Sequence, residues 1–215
     1  MKYKYIVFDF DGTVCETGEG IFKSAQFALQ SYSIPCPNWE ELGFFVGPPL
    51  LDSFQRYDGV DEKLAEKLVE KYRERYGEIG IYESSFYNGI IDVIKQLKSK
   101  GCKIAIGSSK PQIFIEKILD KHNLLKYFDY ISAVDFNNAR KSKTEIISAA
   151  LKNMGCTDKE KALMVGDRYF DIDGADGAEI DSVGVLYGYG NEEEFKQHGA
   201  TYIIEKATDL LDIIG

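Results

Sequence analysis

Two pairs of aspartates are placed so that they could act together on one ligand. Asp9 and Asp11 directly follow a short apolar run, and Asp167 and Asp171 follow another such run later in the chain. Carboxylates crowded into one place repel one another unless a cation neutralises them, and a site made only of oxygen ligands suits Mg²⁺. The spacing therefore indicates a Mg²⁺ site, provided that the fold brings the two runs together.

Each aspartate also has an ordinary structural explanation. Asp9 and Asp11 could belong to an Asx turn or cap a helix, as most Asp-Gly pairs do, and for this first pair the two interpretations are evenly balanced. Asp167 could cap the helix that follows it. Asp171 could be a solvated acid in the first helical turn, where the helix dipole favours negative charge. The occurrence of both pairs together is what favours the metal site.

Hydroxyl and amine groups follow two further apolar runs. Ser108 and Ser109 come directly after Cys102–Gly107, where hydroxyl and backbone N–H groups at a helix start could hold a phosphate. Capping that helix is the commoner use of a serine at such a position. Lys141 and Lys143 precede another helical segment and could bind the same anion or lie exposed in solvent. Four more side chains could contact a substrate or simply lie at the surface: Arg73, Tyr76, Lys110 and Arg168.

The elements that would position these groups alternate between short apolar runs and amphipathic helical segments. Almost entirely apolar runs of this length are typical of strands buried on both faces, so the pattern predicts an α/β fold with a doubly wound, Rossmann-like parallel sheet. The predicted strands span Tyr3–Phe8, Cys102–Gly107, Tyr130–Val134, Ala162–Val165, Ser182–Leu186 and Thr201–Ile204. The helix expected to begin at Pro111 carries an apolar stripe of Ile113, Phe114, Ile118 and Leu119. Ligands bind beyond the carboxyl ends of parallel strands, which is where the candidate residues lie.

The stretch from residue 15 to residue 85 departs from this alternation. It shows helical stripes but no convincing strand, and Pro35, Pro37, Pro48 and Pro49 are expected to break it into several helices. We therefore predict two domains. Residues 1–14 and 86–215 form the α/β core, and residues 15–85 form an all-helical domain inserted into it.

Composition narrows the partners and the chemistry. The 215 residues contain 26 Lys and Arg against 35 Asp and Glu, a formal charge of −9, which argues against nucleic acid or an anionic membrane as a partner. The four cysteines form no C-x-x-C pair, and neither histidine has a visible nucleophilic partner, which argues against a zinc site, a disulfide framework and a histidine-driven hydrolase. Since the first apolar run is interrupted at Asp9, it is too short for a signal peptide or membrane span, and we expect a cytoplasmic protein.

Taken in order, four segments resemble the haloacid dehalogenase superfamily: the strand followed by DFDGT, the strand ending in SSK, a lysine before the third helix, and GDRYFDIDGA. DxDGT with GDxxxD about 150 residues later is a specific combination. The resemblance covers essentially the whole chain, and the insertion looks like the helical cap of phosphoglycolate phosphatase, pyrimidine 5′-nucleotidase and β-phosphoglucomutase relatives. The loop Phe45–Leu50 is similar to that of the phosphoglycolate phosphatase and nucleotidase branch.

The resemblance implies a role for each matching residue. Asp9 would be the nucleophile that forms an aspartyl-phosphate, and Asp11 the general acid and base. Mg²⁺ would be held by Asp9, the backbone carbonyl of Asp11, Asp167 and Asp171. The phosphoryl oxygens would be held by Lys143 with Asp9, Asp11, Gly12, Ser108 and Ser109. Many relatives show Lys-Pro in the third motif, and aligning this chain to that pattern would select Lys141 in place of Lys143.

The expected activity is therefore Mg²⁺-dependent hydrolysis of a small phosphomonoester of the phosphoglycolate, nucleotide or sugar phosphate type. Three alternatives stay open: a phosphomutase of the β-phosphoglucomutase type, a phospho-accepting receiver-like signalling module, and a catalytically silent binding protein. The presence of Asp11 disfavours a dehalogenase, and a receiver would be shorter and lack the long helical insertion. We expect a monomer whose partner is a small phosphorylated metabolite.

Overall fold

The structure is a computed structural model that describes residues 1–36, 38–135 and 142–215. The chain divides into two compact units, one formed by residues 1–16 and 86–215 and the other by residues 17–85. The first unit includes Cys15 and Glu16, which the sequence analysis assigned to the insertion. Among the described residues, no helix is both long enough and apolar enough to span a membrane.

The first unit is built on a parallel sheet of six strands, which confirms the predicted α/β fold. Its strands are β1 (Tyr5–Phe8), β4 (Lys103–Pro111), β5 (Tyr130–Val134), β6 (Ala162–Gly166), β7 (Asp181–Val185) and β8 (Tyr202–Ile204), in the order β5-β4-β1-β6-β7-β8. Strand β1 is central, and Phe8 is paired in register with Ile106 of β4 and Val165 of β6. The carboxyl ends of these three strands therefore lie side by side.

Helices flank this sheet and supply the apolar side chains that bury it. They are α4 (Ile90–Ser99), α5 (Gln112–Lys121), α6 (Lys143–Asn153), α7 (Tyr169–Gly177), α8 (Glu192–Gln197) and α9 (Leu210–Ile214). On one face Ile147 of α6 and Ala175 of α7 are fully buried with Val7 and Met164. This packing holds the first turns of α6 and α7 close to the ends of β1 and β6.

Three details of the first unit differ from the sequence predictions. Ile113 is exposed, so it does not belong to the buried stripe of α5. Strand β4 continues past Gly107 to Pro111 with a shift in register, which makes Pro111 the N-cap of α5 instead of a residue in its first turn. Two residues of the predicted insertion, Cys15 and Glu16, form the short strand β2, which pairs with β3 (Ser85–Phe86). Strands of two residues are too short to leave a periodic pattern.

The second unit is mainly helical. Its elements are α1 (Gly18–Ser31), α2 (Leu50–Phe54), α3 (Glu62–Glu78) and 3₁₀ turns at Trp39–Phe45 and Gly80–Tyr82. Pro49 is the N-cap of α2, while Pro37 lies outside the described residues. Helix α1 packs against α3 and also meets the turn Gly80–Tyr82 at Gly20, where an added Cβ would lie only 2.0 Å from the carbonyl oxygen of Gly80.

Candidate active site

The carboxyl ends of β1 and β6 bring Asp9 and Asp167 together. The backbone N–H of Asp9 donates to the carbonyl of Val165 at 2.9 Å, so the residue after β1 stays in register with β6. Asp171 joins them from the first turn of α7, and one carboxylate oxygen from each aspartate lies within 4.8 Å of the other two. All three side chains are buried. The structure thus brings together three of the four aspartates that the sequence grouped.

The electrostatics of this cluster fit a bound cation. Burial, together with repulsion from Asp171 and Asp9, holds the pKa of Asp167 well above its usual range. Burial and the Asp9 charge likewise raise the pKa of Asp171 to about 6, although the ammonium of Lys143 opposes them. Buried carboxylate oxygens in a group of three are the hard ligands that Mg²⁺ prefers, so the residues present fit that ion.

Asp167 is held in place by two donors. Its Oδ1 accepts from the Thr13 hydroxyl at 3.1 Å, and its Oδ2 accepts from the backbone N–H of Tyr189 at 2.9 Å. Gly12 has φ +85°, and a Cβ there would lie 2.2 Å from Asp167 Oδ2. A Cβ on Gly188 would lie 2.3 Å from the Asp167 Cβ. Bare backbone therefore surrounds this carboxylate on two sides.

Sequence reasoning did not assign Thr13 or the 186–190 loop to the site. The signal for the loop is its composition, Leu-Tyr-Gly-Tyr-Gly directly after β7, since closely spaced glycines mark a close backbone approach. The signal for Thr13 is its place directly after the DxDG turn.

The tyrosines of the 186–190 loop bind the segment that follows β1. The Tyr187 hydroxyl donates to the carbonyl of Thr13 at 3.1 Å, and the Tyr189 hydroxyl donates to Glu16.

Lys143 enters the cluster from the start of α6. Its Nζ lies 2.8 Å from Asp9 Oδ1 and 2.7 Å from Asp171 Oδ1. Burial lowers the pKa of Lys143, but the carboxylates of Asp171 and Asp9 outweigh this effect and hold the pKa above its usual value. A capping box between Ser142 and Glu145 sets the first residue of this helix. Lys141, the alternative lysine, lies outside the described residues.

The two serines of β4 differ in exposure. Ser108 is 2% exposed, and its hydroxyl accepts from the backbone N–H of Lys110 at 3.3 Å. Because Pro111 is the N-cap of α5, Ser108 does not cap that helix. Ser109 is exposed, as expected for the residue between two buried positions of a strand. Only Ser108 of this pair therefore has its side chain among the buried groups of the sheet.

Asp11 is paired with Lys110, a lysine to which the sequence pattern assigned no definite role. Lys110 Nζ lies 2.9 Å from Oδ1 and 3.1 Å from Oδ2 of Asp11, and the lysine side chain is only 4% exposed. Of the other side chains left unassigned, Arg168 pairs with Glu194 at 3.2 Å, and Tyr76 is buried in the second unit beside Tyr72.

Known proteins with similar sequences include a 5′-nucleotidase and a tyrosine-protein kinase, and one hydrolase family matches most of the chain. Residues 6–185 match the family described as haloacid dehalogenase-like hydrolase. A 5′-nucleotidase of Pseudomonas aeruginosa is 36% identical over 214 residues, covering 100% of this chain and 96% of that protein. The tyrosine-protein kinase PtkA of Mycobacterium tuberculosis is 30% identical over 212 residues, covering 98% of this chain and 72% of that protein.

A solved structure gives the same result at the level of the fold. The crystal structure of a predicted phosphatase from Clostridium acetobutylicum superposes with a TM-score of 0.92 at 34% identity, covering 100% of this chain and 99% of that one. The family match spans the segments that carry Asp9, Asp11, Ser108, Lys143, Asp167 and Asp171. The superfamily resemblance seen in the sequence is therefore confirmed, and the chain belongs to the haloacid dehalogenase-like hydrolase family.

Proposed function

We propose that this protein is a Mg²⁺-dependent phosphatase that hydrolyses a small phosphomonoester through an aspartyl-phosphate on Asp9. The observation that carries the proposal is the setting of Asp9: a buried carboxylate at a strand end, in contact with Lys143 and clustered with Asp167 and Asp171. A carboxylate can attack phosphorus directly, and the acyl-phosphate it forms is readily hydrolysed, which divides one difficult displacement into two easier ones.

In the first half-reaction, Asp9 attacks phosphorus as the bond from phosphorus to the leaving oxygen breaks, and the carboxyl of Asp11 gives that oxygen a proton. In the second, Asp11 takes a proton from water while the water oxygen attacks phosphorus, which releases phosphate and restores Asp9. Lys143 and Ser108, with the turn at Gly12 and the backbone near Ser109, would hold the phosphoryl oxygens.

Asp9, Asp167 and Asp171, with the backbone carbonyl of Asp11, would hold the Mg²⁺. When bound, the ion supplies positive charge that offsets repulsion between the anionic nucleophile and the anionic substrate. The protein's own contribution is to keep these carboxylates in place, which Thr13 and the N–H of Tyr189 do for Asp167.

The substrate class follows from similarity and from chemistry. One relative is a 5′-nucleotidase, which favours nucleoside monophosphates within the wider class of small phosphomonoesters. We assign residues 17–85 the part of a cap domain that selects among them, and we expect the enzyme to work as a monomer, which light scattering of the purified protein would test.

The decisive experiment measures phosphate release from p-nitrophenyl phosphate and from a panel of nucleoside monophosphates, sugar phosphates, phosphoglycolate and pyrophosphate, with Mg²⁺ and with excess EDTA. We expect turnover only with Mg²⁺. Asp9→Asn, which keeps the shape of the side chain but removes the nucleophile, should lower kcat by at least about 10³-fold. Asp92→Asn, at an exposed acid of α4, is the matched control and should leave turnover unchanged.

Other outcomes would assign the site to another reaction. Isomerisation of a sugar phosphate without phosphate release would indicate the phosphomutase alternative. Stoichiometric phosphorylation of Asp9 without turnover would indicate a receiver-like module. Transfer of a phosphoryl group to a tyrosine acceptor, the activity for which the PtkA relative is named, would indicate a kinase. No turnover over the whole panel with Mg²⁺ would contradict the phosphatase.

A further inference from the structure

We infer that Lys110 is a positioning residue for Asp11, an inference that rests on the proposed phosphatase reaction. The bidentate pair between Lys110 Nζ and both carboxylate oxygens of Asp11, at 2.9 and 3.1 Å, fixes the orientation of the Asp11 side chain. The two residues are 99 positions apart in the chain, so the contact is made by the fold and not by a local turn.

The backbone of Asp11 is held separately from its side chain. The N–H groups of Val14 and Cys15 both donate to the carbonyl of Phe10, and the N–H of Gly12 donates to the carbonyl of Cys15. This tight turn sets the position of the Asp11 Cα, but rotation about χ1 would still let the carboxylate point in several directions. The contact with Lys110 selects one of them.

The burial of Lys110 argues that the pair is more than a surface contact. The lysine side chain is 4% exposed and that of Asp11 is 13% exposed. A buried ammonium costs free energy that an apolar side chain of the same size would not cost, and a buried ion pair is often no more stabilising than such a replacement. A lysine here is therefore better explained by what it does to Asp11 than by stability.

The two lysines at this edge contact different carboxylates. Lys143 contacts Asp9 and Asp171, while Lys110 contacts Asp11. Lys143 comes from the start of α6 and Lys110 from the end of β4, so the two cations approach from different elements. Removing Lys110 should consequently disturb the acid and base step and leave the nucleophile and the metal ligands in place.

This role predicts a defect that depends on the leaving group. An alkyl phosphomonoester must have its leaving oxygen protonated by Asp11, whereas p-nitrophenolate departs without a proton. For Lys110→Met, which keeps the length of the side chain and removes its charge, kcat/KM for an alkyl phosphomonoester should fall by about tenfold or more, which is part of the roughly 10²- to 10⁴-fold that general acid catalysis contributes. For p-nitrophenyl phosphate it should fall less than about threefold, because kcat/KM reports only the steps through phosphorylation of Asp9.

A double-mutant cycle shows whether Lys110 acts through Asp11. In an Asp11→Asn background, Lys110→Met should cause no further loss with the alkyl substrate, because the group that it positions is already gone. Lys110→Gln keeps hydrogen-bond donors without the charge, so its kcat/KM for the alkyl substrate should lie between the values of the wild type and Lys110→Met. It serves as the second variant if Lys110→Met does not fold. Lys103→Met, at an exposed lysine of the same strand, is the matched control and should leave kcat/KM unchanged for both substrates.

The results separate this inference from the proposed function. Three outcomes for Lys110→Met would overturn the positioning role: an equal loss of kcat/KM with both substrates, an additive loss in the Asp11→Asn background, or no loss at all. A wild-type protein that hydrolyses neither substrate with Mg²⁺ would instead contradict the phosphatase itself.

Discussion

At the residue scale, the candidate site depends on side chains that hold its aspartates in place. Thr13 is buried, and its hydroxyl binds Asp167 Oδ1 at 3.1 Å. Asp167 thereby has one donor on each oxygen, since Tyr189 supplies the other. Hydrogen bonds to a metal-binding carboxylate set its direction and its basicity. Residues that bind the carboxylate without touching the ion therefore affect both the affinity for the metal and the orientation of the ligand.

Thr13→Val should therefore weaken the binding of Mg²⁺. Valine has the shape of threonine without the hydroxyl, so Asp167 loses a donor while packing is kept. We expect the Mg²⁺ dissociation constant to rise by about 10- to 100-fold, measured by titrating phosphate release and by calorimetry.

Thr208→Val is the control for this prediction, because Thr208 is exposed and lies in the segment before α9. It should leave the Mg²⁺ dissociation constant unchanged. A Thr13→Val protein that binds Mg²⁺ as tightly as the wild type would show that the hydroxyl does not support the site.

At the element scale, close backbone approaches decide where the helices lie. In the second unit α1 meets the turn Gly80–Tyr82 at Gly20, and in the first unit α6 meets α7 where a Cβ on Gly174 would lie 2.6 Å from Lys143 Cγ. Because Gly174 has no side chain, α7 leaves room for the side chain of Lys143. Glycines at such positions are required by space and not by φ, since neither has a positive φ.

Gly20→Ala should destabilise the protein, although alanine is the better helix former. A Cβ at this position would lie 2.0 Å from the carbonyl oxygen of Gly80, and the backbone must shift to relieve that clash. The expected loss in the free energy of unfolding is about 1–3 kcal/mol, measured by urea denaturation. Gly43→Ala, where a Cβ would meet nothing within 4 Å, should change stability by no more than about 0.5 kcal/mol. Equal stability of the two variants would show that α1 and the turn can separate freely.

At the scale of the whole molecule, the acidic excess of the chain is partly concentrated at one edge of the sheet. Asp9, Asp167 and Asp171 are buried together, and burial, together with repulsion between the carboxylates, raises the pKa values of Asp167 and Asp171. Such a cluster lowers the stability of the folded chain until a cation neutralises it. Under the proposed function, a protein with a formal charge of −9 would thus offer an anionic substrate a site that is locally positive when Mg²⁺ is bound beside the lysines.

Mg²⁺ should therefore raise the unfolding temperature of the protein. A ligand that binds only the folded state stabilises it by about 2.7 kcal/mol at 100 times its dissociation constant. Asp167→Asn should abolish this shift and, because it removes one of the repelling charges, should not unfold at a lower temperature than the metal-free wild type. Scanning calorimetry with Mg²⁺ and with EDTA measures both effects.

The exposed acid Asp92 provides the control for that experiment, since Asp92→Asn should keep the whole Mg²⁺-dependent shift. An unchanged unfolding temperature of the wild type on adding Mg²⁺ would show that the three buried aspartates do not hold the ion.

The amino-acid pattern alone was enough to predict the class of fold and the candidate site residues. Buried parallel strands are short and almost entirely apolar, so β1, β4, β5 and β6 were visible from composition, and polar residues after such strands stand out. The pairing of DxDGT with GDxxxD was enough to identify the superfamily. The register shift after Gly107, the exposure of Ile113 and the two-residue strands β2 and β3 left no periodic signal.

Which side chains meet depends on how the strands and helices pack. Lys110 and Asp11 are 99 positions apart, and Thr13 and Asp167 are 154 apart, so no local pattern could pair them. Local propensity acts over one or two turns of chain, whereas these contacts depend on strand order, on register and on the glycines that let the backbone approach. The sequence points to the candidate aspartates, and the packing of the sheet determines which groups orient them.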